Sequence, residues 1–310
     1  MPLISRSFLW NTGWRLKKTV GDLLAPLTVV LLRGLRLLDP DRTARFTGRA
    51  MQRIGPWLKE HRIGRDNLVA AFPEKSSTEI DAILDKVWEN LGMWGGEFAH
   101  LDRMWDFNEA NPASGRIDAD ATTIERFLKL RDDGKGALIF AAHLGNWELP
   151  ALAGPAYGLE SAIVFRPPNL NAVADAVERI RAVNMGTIVP TERDAPLRLA
   201  RMLEKGVHAG MLVDQYYVKG VDVVFFGRKT KCNPLLARLA ARVECPIHGV
   251  RVIRLPGHRF RLELSEEVHP VRDADGKIDV QGTMQAVTDV VEGWIREYPE
   301  QWLWLHRRWR

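Results

Sequence analysis

The chain has few cysteines and no long apolar run. Only Cys232 and Cys245 occur among its 310 residues. Two thiols cannot build the disulfide framework of a secreted scaffold, so we expect a reducing, cytoplasmic environment. The apolar run in the N-terminal region covers about ten positions, residues 23–32, whereas a membrane-spanning helix needs about 20. The sequence therefore argues against an oxidised extracellular scaffold and against an ordinary transmembrane helix at this position.

Several motifs that would announce a known chemistry are also missing. A Gly-x-Ser-x-Gly elbow is absent, which argues against a serine hydrolase with a covalent acyl-enzyme. Neither His-Glu-x-x-His nor paired cysteine ligands occur, so no metal site is predicted. The chain also lacks a P-loop and a Gly-x-Gly-x-x-Gly loop, so we predict no nucleotide cofactor.

The composition is that of a folded protein with a basic tilt. Lysine and arginine number 44 against 39 acidic residues, which leaves a net charge of +5. This excess suits nucleic acid, anionic lipid or an acidic protein equally well. Tryptophan is unusually frequent, with 11 residues against four tyrosines. Tryptophan favours membrane interfaces, although these side chains could equally fill a core.

The N-terminal segment combines basic and aromatic residues around the short apolar run. Phe8, Trp10 and Trp14 lie among the six basic side chains of residues 1–36, and Asp22 is the one acid there. Such a segment suits the headgroup layer of a negatively charged cytoplasmic leaflet. We therefore predict that residues 1–38 associate with the membrane. The alternative is an ordinary core helix.

Two further regions follow from the periodicity of the apolar residues. Residues 39–110 have a helical pattern and form a predicted helical region that packs on the core. One of its helices carries four arginines on one narrow face: Arg42, Arg45, Arg49 and Arg53. This face is either exposed to solvent or a contact for phosphate or an acidic protein. Residues 111–310 alternate between short apolar strands and helices. This predicts an α/β core with a mostly parallel central sheet flanked by helices.

Polar residues follow two of the buried strands. His143 and Glu148 come after the apolar run 137–142, and Asp214 and Gln215 come after the run 207–213. In an α/β sheet the functional residues gather at the carboxyl ends of strands. If Gly145 allows a turn after the first strand, Glu148 can reach back to the His143 imidazole. A histidine held in this way is a general base for a hydroxyl group.

A family resemblance extends this interpretation. Residues 140–148 read Phe-Ala-Ala-His-Leu-Gly-Asn-Trp-Glu and resemble the His-x4-Asp/Glu motif of glycerolipid acyltransferases. The Gly-Asn-Trp-Glu form is typical of the late lipid A biosynthesis acyltransferases, the lauroyl/myristoyl acyltransferase family. Further similarity follows in order at 165–169, 213–215, 225–227 and 299–308. It extends from about residue 20 to the end of the chain.

The resemblance implies an acyl carrier protein-dependent acyltransferase without a covalent acyl-enzyme. The donor would be acyl carrier protein, the acceptor a hydroxyl of a lipid A precursor, and the location the cytoplasmic face of the bacterial inner membrane. His143 would be the base and Glu148 its partner. The substrate-binding residues would be Asn146, Arg166, Asn169, Asp214 and Gln215. Arg166 is either an oxyanion donor or part of a structural salt bridge.

Two alternatives to this function are open. The same chemistry could act on another lipid acceptor, such as a phosphatidylinositol mannoside or an amino-acid lipid, because the motifs do not encode the acceptor pocket. A non-catalytic basic protein that binds nucleic acid or a membrane surface would also use the arginine face. We predict an enzyme that does not bind nucleic acid. Binding and turnover measured in parallel would separate these classes.

Overall fold

The computed structural model describes residue 30 and residues 34–111, 114–166 and 171–310, without the side chains of residues 171–176. Among the helices whose bounds lie within these residues, three precede an alternation of strands and helices. The helices are α1 (Pro40–Ile54), α2 (Lys59–Ala71), α3 (Ser77–Phe98), α4 (Ala121–Asp132), α5 (Pro150–Ala156), α6 (Asn171–Asn184), α7 (Ala195–Leu203), α8 (Leu235–Val243) and α9 (Val280–Glu297). The strands are β1 (Ile117–Asp118), β2 (Leu138–Ala141), β3 (Ser161–Phe165), β4 (Thr187–Pro190), β5 (His208–Leu212), β6 (Val221–Phe225), β7 (Arg228–Cys232), β8 (Ile247–Leu255) and β9 (Arg259–Glu267).

Capping residues and close packing define the N-terminal helices. Ser76 and Glu79 form a capping box at the start of α3, each side chain accepting a hydrogen bond from the other residue's backbone amide. Asp39 caps α1 in a similar way. Helices α1 and α3 pack closely because Gly92 carries no side chain. A β-carbon there would lie 2.4 Å from the backbone oxygen of Thr47.

Seven strands form one sheet in the order β1-β9-β8-β2-β5-β3-β4. Neighbouring strands are parallel except for the antiparallel pair β8–β9. This confirms the predicted α/β class with a mostly parallel sheet. Strands β2 and β5 are neighbours near the centre, and Ala141 lies opposite Leu212. Residues that follow these two strands therefore meet at the carboxyl edge of the sheet.

Helices cover both faces of the sheet, and the strand residues alternate between them. Phe140 of β2 points to the face covered by α9, where its ring stacks on Trp294 with centroids 5.6 Å apart. Ala141 points to the other face and packs in a second apolar cluster with Leu149 and Leu152. Leu68 and Leu84 from the helical region belong to the same cluster as Phe140. The N-terminal helices thus share a core with the sheet.

The main differences from the predicted elements concern short or polar segments. After β2 the next helix begins only at Pro150, because the intervening residues form a turn and proline suits the first helical position. Strands β6 and β7 form a separate antiparallel hairpin that was not predicted. Its turn uses positive φ angles at Phe226 and Gly227.

No helix in the described part of the chain is long and apolar enough to cross a membrane. The predicted membrane segment, residues 1–38, lies outside the described residues except for residues 30 and 34–38. Membrane association and the region boundaries at 38/39 and 110/111 therefore stay predictions.

Candidate active site

His143 lies in a tight turn directly after β2, as the sequence predicts. Gly145 in this turn has a φ of +59°, and a β-carbon there would lie 2.2 Å from the backbone oxygen of Val252. Glycine is therefore required on both conformational and steric grounds. The C-terminal tail holds the turn from the other side. The Leu303 amide donates to the His143 carbonyl and the Gly145 amide donates to the Gln301 carbonyl, both at 3.0 Å.

The imidazole of His143 is held by Asp214, which follows β5. The distance from His143 Nδ1 to Asp214 Oδ1 is 2.8 Å, and the His143 backbone amide donates to Oδ2 at 2.8 Å. Trp302 Nε1 donates to the same Oδ2 at 2.7 Å. An ionised carboxylate can only accept hydrogen bonds, so Nδ1 carries the proton and Nε2 carries a lone pair that can accept one. This is the tautomer that a general base requires.

Electrostatics keep Asp214 ionised. Burial raises the pKa of this carboxyl, but attraction to the imidazolium form of His143 and the hydrogen bonds from His143 outweigh burial and hold the pKa well below its usual range. His306 lies nearby, with its ring centroid 5.3 Å from that of Trp302. Burial lowers the pKa of His306 to about 4. His306 is therefore neutral at physiological pH and does not compete with His143 for the charge of Asp214.

The predicted contact between Glu148 and His143 is wrong. Glu148 instead binds Arg181 of α6 with both carboxylate oxygens, one of them 2.9 Å from Arg181 Nε. The turn after β2 directs Glu148 towards α6, while Asp214 already occupies Nδ1 of the imidazole. Arg181 lies in none of the sequence motifs discussed above. Nothing in the sequence marks this helical arginine as the ion-pair partner of Glu148.

Asn146 also forms its hydrogen bonds with other residues of the protein. It is fully buried, and its Nδ2 donates to Glu97 at 2.9 Å. Glu97 in turn forms a buried ion pair with Arg254. The side-chain oxygen of Asn146 accepts from the Glu148 amide at 3.3 Å. The structure thus corrects the expectation of a substrate contact: Asn146 connects the active-site turn to α3 and β8.

The remaining predicted site residues are Gln215, Arg166 and Asn169. Gln215 Nε2 is 3.3 Å from His143 Nε2, so the Gln215 side-chain amide donates to this ring nitrogen. Arg166 is exposed after β3 and lines the same cavity as His143. Asn169 lies outside the described residues. The structure thus brings His143, Asp214 and Gln215 together, and it adds Trp302, whose role the sequence analysis missed.

A cavity of about 1920 Å³ begins at His143 and continues along one face of the sheet. It is larger than the roughly 300–1,000 Å³ of ordinary small-molecule pockets. Its wall on the sheet includes alternate residues of three neighbouring strands: Ile139 and Ala141 of β2, Ser161, Ile163 and Phe165 of β3, and His208, Gly210 and Leu212 of β5. Further residues of β1, β8 and β9 also line it. An aromatic cluster around Tyr157 also lines it, with Trp105, Phe107 and Phe127 edge-on to Tyr157. The cavity therefore suits a long apolar substrate.

The two cysteines do not contribute to the site. Burial raises the pKa of each thiol, Cys232 and Cys245, to about 11, which makes both poor nucleophiles at neutral pH. In the part of the chain that the structure describes, no group of three or more His, Cys, Asp or Glu side chains is arranged to hold a metal ion.

The fold is α/β, and the site combines a histidine held by a buried carboxylate with a large, mostly apolar cavity. The sequence profile of the family described as bacterial lipid A biosynthesis acyltransferase matches residues 16–310. The chain belongs to this family.

Individual relatives agree with the assignment. The chain is 22% identical over 288 residues to lipid A biosynthesis acyltransferase 2 of Shigella flexneri, which covers 89% of this chain and 86% of the relative. It is 23% identical over 264 residues to the lipid A biosynthesis palmitoleoyltransferase of Escherichia coli (strain K12), covering 82% and 80%. A lipid A biosynthesis acyltransferase of Shigella flexneri matches to the same extent.

Proposed function

We propose that the protein transfers a fatty acyl chain from acyl carrier protein to a hydroxyl of a lipid A precursor, with His143 as the general base. One observation carries this proposal. His143 is oriented by a buried, ionised Asp214, and it lines a large, mostly apolar cavity. A base and an apolar cavity at one point are what direct acyl transfer to a hydroxyl needs.

The reaction needs one base and no enzyme nucleophile. His143 Nε2 takes the proton of the acceptor hydroxyl while the hydroxyl oxygen attacks the thioester carbonyl carbon. A C–O bond forms and the C–S bond breaks as the tetrahedral intermediate collapses. The thiolate leaves and takes the proton back from Nε2, so His143 is neutral again after one turnover. Asp214 stabilises the imidazolium between the two proton transfers.

Oxyanion stabilisation is a proposed role for Arg166. Arg166 follows β3, lines the cavity and is exposed, so its guanidinium has freedom to approach a substrate. Arg181 also lines the cavity but already binds Glu148 with two hydrogen bonds. Of these two arginines, Arg166 is therefore the better candidate for a charge that develops in the transition state.

The acyl chain would enter the cavity along the strands. His208 begins β5 and Leu212 ends it, and both line the cavity. At about 3.3 Å per residue this wall is roughly 13 Å long. The apolar side chains on it suit a hydrocarbon chain whose thioester end lies near His143. The acceptor hydroxyl would then arrive at the Gln215 side of the imidazole.

Acyl carrier protein as donor and the cytoplasmic face of the inner membrane as location rest on the family resemblance. The excess of 44 basic over 39 acidic residues favours an acidic carrier protein and an anionic leaflet. The basic excess and the location at the anionic leaflet are also compatible with an acceptor, a lipid A precursor, that stays in the bilayer during the reaction.

Replacing His143 by alanine tests the proposal. We expect acyl transfer from acyl carrier protein to a lipid A precursor to fall by roughly 10²–10⁴-fold, the usual contribution of a general base. His269→Ala is the matched control, because the His269 side chain is 83% exposed. Transfer by folded His143→Ala protein at the rate of the control would refute the assignment of the base. Absence of transfer by the unmodified protein, with any lipid acceptor, would refute the function.

A further inference from the structure

Helix α1 and the turn after it expose a surface of arginine and large apolar side chains. Arg42, Phe46, Arg49 and Arg53 form one stripe along α1 because their spacing of four, three and four residues keeps them on one side of the helix. The stripe continues into Trp57 of the short 3-10 turn Gly55–Trp57. These five residues are called the α1 surface below.

The two large apolar side chains of the α1 surface are unusually exposed to solvent. Trp57 is 84% exposed and Phe46 is 69% exposed. Leu37, three residues before the start of α1, is 88% exposed. Scattered exposed apolar residues are normal in soluble proteins, but a contiguous group of large ones indicates an interaction site. The opposite side of α1 packs on α3 through Gly92, so α1 has one buried and one exposed face.

Most of the charge on this surface has no ion-pair partner within the described residues, although the N-cap Asp39 interacts electrostatically with Arg42. Arg42, Arg49 and Arg53 have no ion pair with an acidic side chain in the described part of the chain. The acid that shares the helix, Asp41, pairs instead with Arg116 at 2.7 Å. The α1 surface is therefore both cationic and apolar.

Helix α1 contacts the loop after β8, at the same edge of the sheet as the active site. Strand β8 is parallel to β2 and extends past its end, so the loop after β8 projects beyond the carboxyl edge. Arg45 of α1 reaches His258 in that loop, with 2.9 Å between Nη1 and Nε2. On the other side, Trp147 contacts the His143 ring edge-on and stacks on Trp94 of α3, the helix on which α1 packs.

We propose that the α1 surface docks on the headgroup layer of an anionic bilayer. Tryptophan and phenylalanine insert at the boundary between headgroups and acyl chains, and arginines at the same level bind lipid phosphates. A helix with this division of residues lies in the plane of the membrane. An acidic protein would satisfy the arginines but would leave no reason for Trp57 and Phe46 to project. The inference rests on the proposed function, because it names the surface by which the enzyme reaches a bilayer acceptor.

Vesicle binding of the full-length chain tests this proposal. We expect Phe46→Ser/Trp57→Ser to lower the partition coefficient on phosphatidylglycerol vesicles by at least about tenfold, since binding scales with inserted apolar area. Val183→Ser is the matched control. Val183 is 81% exposed at the end of α6, which runs against the strands and therefore ends at the opposite edge of the sheet. The control should bind like the unmodified chain.

Charge reversal tests the electrostatic part. Arg49→Glu/Arg53→Glu should weaken binding to phosphatidylglycerol vesicles and should leave the weaker binding to phosphatidylcholine vesicles unchanged. The difference should shrink as salt rises, because charges are screened over about 8–10 Å at physiological ionic strength. An equal loss on both lipids would refute attraction to anionic headgroups.

Other occupants of the surface give distinct results. A raised Michaelis constant for acyl carrier protein in Phe46→Ser/Trp57→Ser, with vesicle binding unchanged, would overturn the proposal in favour of the carrier. A lowered melting temperature with unchanged vesicle binding would overturn it in favour of residues 1–29 of this chain. Normal turnover on detergent-dispersed acceptor together with lost vesicle binding would support it. If the unmodified chain binds vesicles but shows no transfer, the proposed function fails while the docking surface stands.

Discussion

Replacing Asp214 by asparagine changes the charge and donors of one buried group but keeps its shape. Asp214 accepts three hydrogen bonds, two from His143 and one from Trp302. An asparagine has one oxygen and one NH₂ group in place of the two carboxylate oxygens. If the NH₂ group took the position of Oδ2, it would face two other donors, the His143 amide and Trp302 Nε1. The amide oxygen should therefore take that position, and the NH₂ group should face His143 Nδ1.

This orientation inverts the tautomer of His143. Nδ1 must now accept a hydrogen bond from the asparagine NH₂ group, so the ring proton moves to Nε2. A protonated Nε2 cannot take a proton from a substrate hydroxyl. The expected loss in acyl transfer is about 10⁴-fold, the effect of a wrong tautomer at a catalytic histidine. It corresponds to roughly 5 kcal/mol of transition-state stabilisation.

Two measurements check this reasoning. The initial rate of acyl transfer gives the loss, and ¹⁵N NMR of histidine-labelled protein reports which nitrogen of His143 carries the proton. Asp214→Ala is a poor test, because each of three unpaired buried donors would cost about 1–3 kcal/mol of stability. Asp222→Asn is the control, since the Asp222 side chain is 71% exposed. An Asp214→Asn protein that transfers acyl groups at the control rate, or that keeps its proton on Nδ1, would refute the role of Asp214.

Three other predictions concern the acyl-chain cavity, the ion pair between Glu148 and Arg181, and the pH dependence of stability. Gly210→Val adds apolar volume in the middle of the cavity wall, so it should shift donor preference to shorter acyl chains; an unchanged product profile from mixed chain lengths would contradict this. Glu148→Gln leaves Arg181 without its counter-charge, so urea unfolding should show a loss of about 3 kcal/mol, and adding Arg181→Met should recover most of it. Burial lowers the pKa of His208 and His306 below the ordinary 6.5, so the unfolded chain takes up protons first as pH falls. Unfolding free energy should therefore decline from pH 6.5 towards pH 4, by at most about 1.4 kcal/mol per pH unit for each histidine; His208→Leu should lessen the slope.

Local features could be predicted from the sequence because they depend on neighbouring residues. The continuous apolar run at 137–142 marks β2 as a buried strand. Gly145 indicates a turn that projects His143 from the strand end, and Ser76 with Glu79 marks the start of α3. In each case the physical cause lies within a few positions of the effect.

The pairing of His143 with Asp214 could not be read in the same way. Asp214 lies 71 residues further along the chain, and β3 and β4 come between β2 and β5 in sequence. The two residues meet because β5 adds next to β2 in the sheet, with Ala141 opposite Leu212. Both polar residues then stand two positions beyond a paired residue. Spacing alone suggested Glu148 instead, because a helix-start carboxylate five residues away is nearer in sequence than any strand neighbour.

The helical region takes part in this assembly through the C-terminal tail. Trp302 reaches Asp214 only while the tail is docked across the turn after β2. Two asparagines of the helical region fix that tail: Asn67 of α2 donates to the backbone oxygens of Trp304 and His306, both at 2.8 Å, and Asn90 of α3 donates to the oxygen of Glu300 at 2.9 Å. Buried hydrogen bonds of this kind are costly to leave unmade. Residues 39–110 therefore position the tail whose Trp302 binds Asp214, the carboxylate that orients the base. Residues 111–310 alone would lack this support for the tail.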